Sequence, residues 1–341
     1  SVTGVQTCAL PICSGMRRRI SAAVDRFIDA RTMSDNDAAA QLRALEIDIA
    51  VDLNGYTGDA RTRIFAARPA PIQVNYLGFP GTMGAPYMDY IIADRVVIPE
   101  ANAGHYTEKV VYLPHTYQPN DHMRRAAERM PTRAEAGLPE HGFVFACFNN
   151  SYKIAPEIFG IWMHLVRETP HSVLWLLADN PTAADNLRRE AAARGIDAAR
   201  LVFAPRVSPE DHLARHCLAD LFLDTRPYNA HTTASDALWM GVPVLTCPGE
   251  TFPSRVAASL LTAAGLPELI ANSLSRYEDI ALGLARDPAA LADLKRRLTS
   301  NRESCALFDI ALYTRHLEAA FLGMWQRHQR GEAPAGFDVK P

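Results

Sequence analysis

The chain has 341 residues, nearly half of them apolar, and carries 35 Lys and Arg against 38 Asp and Glu, a net charge of −3. That length suits two domains with a core each, and the charge balance offers no broad basic field for nucleic acid. No apolar run is long enough to cross a membrane, and the six cysteines form no Cys-x-x-Cys pair, so they read as reduced thiols of a cytoplasmic protein.

Residues 1–13, SVTGVQTCALPIC, look like a translated sequencing-adapter read. They lack an amphipathic pattern leading into Met16 and the basic n-region of a signal peptide. They are set aside from fold reasoning as non-native, and the chain is expected to be a fragment of a protein that begins upstream. Residues 17–28 read as the end of a truncated unit. Ser34-Asp35-Asn36-Asp37 precedes an apolar-periodic run over 38–45 and reads as a helix cap, the commoner use of such residues than a metal site. Strands are predicted at 47–53, 71–77, 90–93 and 109–113, with a turn at Asn54-Gly55-Tyr56-Thr57 and a helix over 60–67. Residues 118–140 are polar, with Pro119, Pro131 and Pro139, and read as a linker.

A second alternation follows. Strands are predicted at 143–148, 172–178, 201–204, 221–223, 242–247 and 269–271. Helices are predicted at 156–167, 183–194, 209–217, 234–240, 256–264, 276–286, 289–298 and 310–327. Alternation of this kind gives an α/β protein with parallel sheets covered by helices on both faces. The expected organisation is a partial N-terminal Rossmann-like lobe at 14–117, a linker at 118–140, and a C-terminal Rossmann-like lobe at 141–309. A final segment, 310–341, would supply a helix packing across the lobes and a tail.

The second lobe centres on residues 218–258. An apolar strand leads through a polar loop to His231-Thr232-Thr233 at the start of a helix, which Gly241 and Pro243 end. The first turn of that helix has unpaired N–H groups and the positive end of the dipole, a place for a diphosphate. Asp236 follows Thr232 by four residues and shares its face, where a carboxylate can accept hydrogen bonds from a ribose. Thr at a helix start is also an ordinary N-cap. Convergence of these residues beyond a strand's carboxyl end favours the ligand reading, because open α/β sheets bind ligands there.

Lys153, in Phe148-Asn149-Asn150-Ser151-Tyr152-Lys153, falls in a strand-to-helix loop at the same sheet edge. It can neutralise a departing diphosphate, although a lysine is more often simply exposed. His212, on the first turn of a helix after Ser208-Pro209-Glu210-Asp211, can stack on a flat base or be an ordinary surface histidine. Leu77-Gly78-Phe79-Pro80-Gly81-Thr82 can bring backbone close to a ligand or form a plain tight turn. Thr251, in Pro248-Gly249-Glu250-Thr251, can cap the next helix. No zinc-binding spacing, Walker sequence or nucleophile elbow is present.

These motifs resemble the catalytic region of O-linked N-acetylglucosamine transferases, most closely bacterial members with N-terminal tetratricopeptide repeats. They are joined by Arg68-Pro69-Ala70-Pro71-Ile72-Gln73, Met88-Asp89-Tyr90-Ile91-Ile92 and Ser254-Arg255-Val256-Ala257. The resemblance runs from about Arg17 to the C-terminus. It implies two Rossmann-like lobes of the glycosyltransferase B type, the first of them incomplete. It implies an inverting, metal-independent enzyme without a cofactor, using UDP-N-acetylglucosamine as donor and protein Ser/Thr hydroxyls as acceptors.

By the same resemblance, Lys153 would stabilise the leaving UDP, and Asn150 stands where animal enzymes have Gln. Thr232 and Thr233 would contact the phosphates, His231 would pack near the phosphates and sugar, and Asp236 would hold the ribose. His212 would stack on uracil, with Val207 giving backbone contacts and Arg215 nearby. Leu77 and Gly78 would line the sugar pocket. Pro209 replaces a uridine-contacting Lys, and Arg26 stands where many members have His. A His-bearing opening segment and the acceptor-presenting repeats would lie before Met16, so the chain as given is expected not to transfer sugar by itself. A UDP-hexose-dependent protein N-glucosyltransferase and a non-catalytic UDP-sugar-binding scaffold are the alternatives.

Overall fold

A computed structural model describes residues 3–6 and 15–341, with side chains from Gly15 onward. The chain divides into two compact units. The first comprises 1–93, 100–114 and 316–341; the second comprises 94–99 and 115–315.

In the first unit, β1 (Thr3–Gln6) pairs in parallel with β2 (Arg26–Asp29), and α1 (Gly15–Ala23) lies between them in the chain. The set-aside N-terminal segment thus contributes a strand. Pairing uses backbone groups, which any non-proline residue carries, so a segment without a core face can still form a ladder. The rest of that segment, residues 1–2 and 7–13, lies outside the described residues. Residues 17–28 split into α1 and β2, where the sequence offers only the end of a unit.

Ser34 caps α2 (Asp35–Ala44), its hydroxyl accepting from Asp37 N at 3.2 Å. After α2 come β3 (Ile49–Asp52), a short α3 (Arg63–Ala66), β4 (Ile72–Asn75), β5 (Tyr90–Ala93) and β6 (Lys109–Tyr112). These four strands are parallel neighbours in chain order, β3 to β6. β4 and β5 are buried along their whole length, as strands covered on both faces must be.

The second unit holds β7 (Val144–Cys147), α4 (Pro156–Glu168), β8 (Val173–Leu177), α5 (Pro181–Ala193), β9 (Leu201–Ala204), α6 (Pro209–Arg215) and β10 (Leu221–Leu223). It continues with α7 (Thr232–Trp239), β11 (Val244–Leu245), α8 (Val256–Ala263), α9 (Leu274–Arg286) and α10 (Pro288–Asn301). α11 (Ile310–Gln329) carries the chain back to the first unit, where β12 (Phe337–Asp338) adds to β6. The strand predicted at 269–271 is instead a 3₁₀ turn, Pro267–Leu269, followed by a single bridge from Ile270 to Thr246. The strand predicted at 242–247 shortens to β11, with Thr246 continuing it only as the bridge to Ile270.

The order across the second sheet is β9-β8-β7-β10-β11, all parallel. Chain order reverses between β7 and β10. That switch point opens a crevice at the carboxyl edge, because successive connections leave β7 and β10 towards opposite faces. Val144–Cys147 and Leu221–Leu223 are fully buried, so the two loops leaving this crevice are anchored on buried strands.

Candidate functional site

The loop leaving β7 carries Asn149, Asn150 and Lys153; the loop leaving β10 runs from Asp224 to His231 and feeds α7. Their side chains interlock. Thr233, on the first turn of α7, donates its hydroxyl to Asn149 Oδ1. Asn149 Nδ2 donates to Thr225 Oγ1 at 2.7 Å, and Thr225 Oγ1 donates to Tyr228 O at 2.7 Å. Lys153 Nζ donates to Asn229 O at 3.0 Å and lies 4.1 Å from the centre of the Tyr228 ring. That leaves two of its three N–H bonds for an anion. The ammonium is partly buried, and burial lowers its pKa, with Asp224 opposing the shift.

Asp224 is 2% exposed. Its Oδ1 accepts from Thr225 N at 2.7 Å and Ala230 N at 2.6 Å, and its Oδ2 accepts from Thr246 Oγ1 at 2.6 Å. Burial pushes this carboxyl up to about 7, against those three donors and the Lys153 charge. From α9, Tyr277 donates its hydroxyl to Asp224 O at 3.2 Å and accepts from the buried Trp162 Nε1 at 3.2 Å. The carboxylate thus folds the whole loop from 224 to 230 about itself.

His231 immediately precedes α7, and its side chain does not cap the helix. Its ring stacks on Tyr228, with centroids 5.0 Å apart, and its Nε2 donates to Pro253 O at 3.3 Å. The first bond of α7 runs from Ser235 N to His231 O. The N–H groups of Thr232, Thr233 and Ala234 therefore lack helical acceptors and carry the positive end of the dipole. Lys153 thus bonds the loop that feeds α7, and Thr233 is tied to the Lys153 loop through Asn149. Asn150 sits at the start of the same 3₁₀ turn as Lys153, without a side-chain cap bond. The neighbouring Asn149, rather than Asn150, makes the buried bridge.

Away from this centre but still in the second unit, α6 and the turn after it form an aromatic and basic cluster. Arg215 stacks on Phe148 at 4.7 Å, donates to Pro205 O at 2.7 Å and donates to His212 Nδ1. A guanidinium only donates, so His212 carries its proton on Nε2. His216 donates Nδ1–H to His212 O at 2.7 Å and is fully buried. His212 is thus a fixed, largely buried ring at the rim of the sheet. Val207, in the loop before α6, is 45% exposed.

Burial is the main cause that holds these histidines neutral: His212 and His231 fall to about 3 and His216 to about 4. The unfolded chain takes up protons below the ordinary histidine value of 6.5 and the folded unit does not, so stability is complete above 6.5 and is lost as pH falls towards 4. For His216 alone the loss by pH 5 is about 2 kcal/mol. Urea unfolding at pH 7 and pH 5 should show the drop, and His216→Gln should flatten its share; an unchanged pH slope in that variant would contradict the assignment.

Asp236 does not stand open on α7. Arg124, from the segment between the two predicted lobes, forms an ion pair with its Oδ1. Residues 118–140 contain no helix or strand, yet they are not a loose linker. Asn120 bonds Leu307 O and Ser235, and Ala127 N donates to Glu210 O.

Leu77 and Gly78 belong to the first unit, in the loop after β4. Leu77 has φ of +69°, and a Cβ on Gly78 would lie 2.1 Å from Leu53 O, so only glycine fits there. The same loop is pinned by buried Glu108, which accepts from Met83 N at 2.7 Å, Asn75 Nδ2 at 3.2 Å and Thr82 Oγ1.

A cavity of about 640 Å³ lined by Leu138, His171 and Arg200 lies near the start of β8, at the opposite edge from the switch point. Arg200 there spends its guanidinium on the carbonyls of Val166, Thr169 and Ser172, which makes it a structural residue.

The profile of glycosyl transferase family 41 matches residues 11–130 and 125–317. The chain belongs to glycosyl transferase family 41. Within this family it is 41% identical, over 95% of its length, to a probable UDP-N-acetylglucosamine–peptide N-acetylglucosaminyltransferase, SEC, of Arabidopsis thaliana. It is 30% identical, over 93% of its length, to the UDP-N-acetylglucosamine–peptide N-acetylglucosaminyltransferase of Caenorhabditis elegans. It covers 34% and 37% of those two proteins, so the chain spans about a third of the length of these relatives.

Among solved structures, a Thermobaculum terrenum O-GlcNAc transferase mutant superposes with a TM-score of 0.87 at 34% identity, covering 96% of this chain and 62% of that one. Anabaena HepE, solved with UDP, shares the fold alone, at 12% identity and a TM-score of 0.57 over 89% of each chain. The family 41 chain is thus an α/β protein of the glycosyltransferase B type, with a parallel five-stranded sheet in each unit. Among the described residues no helix is long and apolar enough to cross a membrane.

The sequence reading missed Asp224, Asn149, Tyr228 and Arg124. Asp224 carries a signal that was available: an acidic residue directly after a buried strand, before a loop that feeds a helix. Arg124 carries none, since its partner Asp236 is 112 residues away, and the placing of Tyr228 beneath Lys153 likewise depends on a remote segment.

Proposed function

We propose that this chain is the catalytic region of a UDP-N-acetylglucosamine–peptide N-acetylglucosaminyltransferase, inverting and metal-independent, acting on protein Ser and Thr hydroxyls. The observation that carries the reading is that Lys153 bonds the loop that feeds α7, while the neighbouring Asn149 bonds Thr233 on the first turn of that helix, at the switch point of the second sheet. A diphosphate seated there would face an ammonium and three outward N–H groups. As the acceptor hydroxyl attacks the anomeric carbon, the bond from that carbon to the β-phosphate oxygen breaks. The electron pair moves onto that oxygen, and the hydroxyl proton is released. Attack opposite the leaving group inverts the anomeric centre. Lys153 and the helix turn stabilise the charge that grows on the phosphate.

In this reading Thr232 and Thr233 flank the phosphates, His231 packs beside them, and Asp236 holds the ribose. His212, with Arg215 and Val207, frames the base, and Asn150, Leu77 and Gly78 serve the donor. Residues 14–117 and 141–309 are the two catalytic lobes, with 118–140 between them and 310–341 closing the chain. Acceptor proteins are the partners, presented by helical repeats of the bacterial tetratricopeptide type. Family membership and the activities for which these two relatives are named support the donor and acceptor assignment. A cytoplasmic site is supported by the free thiols of Cys147, Cys217, Cys247 and Cys305.

Calorimetric titration with UDP in EDTA tests the nucleotide site. Binding is expected without metal and unchanged on adding Mg²⁺. Binding that appears only with Mg²⁺ or Mn²⁺ would sink the metal-independent mechanism. Competition by UDP-N-acetylglucosamine over UDP-glucose tests the sugar; preference for UDP-glucose would move the chain to the hexose class.

A further inference from the structure

Asp236 lies on the second turn of α7, largely buried, with burial raising its carboxyl pKa and Arg124 opposing that rise. Arg124 is itself held on several sides. Its guanidinium stacks on Trp239 at 5.2 Å, its Nε donates to Asp121 O at 3.1 Å, and its Nη2 donates to Ser235 Oγ at 3.4 Å. Ser235 in turn donates to Asn120 Oδ1, and Asn120 Nδ2 donates to Leu307 O at 3.1 Å. Trp239 is also contacted by Arg302 at 5.3 Å and by Phe308 edge-on at 5.0 Å. Residues 120–124 therefore form a strap fastened along α7, and the ion pair with Asp236 is one of its fastenings.

A buried carboxylate with no partner is costly and tends to take up a proton. A protonated carboxyl accepts hydrogen bonds poorly and competes with its own O–H. An arginine on one oxygen keeps the group ionised and fixes the plane of the carboxylate, which leaves the second oxygen aimed. We infer that Arg124 is a positioning residue for nucleotide recognition: by occupying Oδ1 of Asp236 it presents Oδ2 to a hydroxyl of the bound ribose. This inference rests on the donor reading above. It adds that the strap along α7 takes part in choosing the nucleotide, and that ribose is read through an Arg–Asp pair rather than by a lone carboxylate.

The test measures UDP, its 2′-deoxy and 3′-deoxy analogues, and inorganic pyrophosphate against the wild-type chain, Arg124→Met and Arg124→Lys. The wild type should prefer UDP over at least one deoxy analogue by about tenfold or more, the range for a hydrogen bond to a charged group. Arg124→Met should lose most of that ratio and bind UDP about tenfold more weakly. Pyrophosphate, which meets Lys153 and the first turn of α7, should bind both alike. Arg124→Lys should recover part of the ratio, since it restores the charge without the planar fork. Should Arg124→Met fail to fold, Arg124→Lys and Arg124→Gln carry the comparison, with Gln expected to fall below Lys.

An unchanged UDP-to-deoxy ratio in the variants, with UDP still bound, overturns this inference and leaves the donor reading intact. Tighter UDP binding by Arg124→Met also overturns it, since Arg124 would then be a competitor for Asp236. Failure of the wild type to bind UDP at all overturns the donor reading, and this inference with it.

Discussion

Lys153→Met is expected to lower kcat by on the order of a hundredfold or more while leaving UDP affinity within a few-fold. The argument is differential. Negative charge on the β-phosphate is greatest when the glycosidic bond is partly broken, so a cation beside it acts mainly in the transition state. Lys153 is placed for that role, with one N–H committed to Asn229 O and the ammonium seated over the Tyr228 ring. Its partly buried setting strengthens each remaining interaction with an anion. Methionine keeps the length and apolar stem, so packing against Tyr228 survives and the loss reports charge. Single-turnover rates and UDP titration of the same preparation, in protein competent for transfer, separate the two quantities. A variant that keeps kcat and changes only KM would show that Lys153 binds ground state and transition state alike.

Asp224→Ala is expected to cost several kcal/mol of stability in the second unit, because it strands three donors at once. Thr225 N, Ala230 N and Thr246 Oγ1 all lose their acceptor in a buried place, and each stranded group costs about 1–3 kcal/mol. Asp224→Asn should be much milder. Its Oδ1 can keep the two backbone donors, and its Nδ2 can donate to the Thr246 hydroxyl, which then accepts. Asparagine, however, removes the negative charge that opposes the lowering of the Lys153 pKa. Near-normal urea unfolding with a rate profile in which the Lys153 ammonium is lost at lower pH is therefore the expected signature of Asp224→Asn. Equal destabilisation by Ala and Asn would mean that the charge, not the hydrogen-bond set, holds the loop.

These two residues illustrate how far sequence pattern reaches. Lys153 is legible because its loop follows an apolar strand and precedes a helix opened by Pro156, so its place at a sheet edge follows from local pattern. Asp224 sits in an equally legible place, but its work depends on Thr246, which is 22 residues away and is brought near only by pairing of β10 with β11. The same holds for Asp236. Helical spacing puts it on the face of Thr232, but nothing local reveals that Arg124, 112 residues earlier, closes on it.

Alternating strands and helices, their approximate bounds, the two-part organisation and the start of α7 directly after His231 were determined by the sequence alone. Each depends on periodicity, caps and turn residues acting over a few positions. The N-terminal strand pair, β12, and the reduction of the 269–271 strand to one bridge were decided by tertiary structure, since short ladders depend on which neighbour is within reach. So were the strand order that puts the loops of β7 and β10 side by side, the loop wound about Asp224, and the strap that pins Asp236. Those features need contacts between residues tens of positions apart, and burial then sets the charge state of each group, which one segment read alone does not specify.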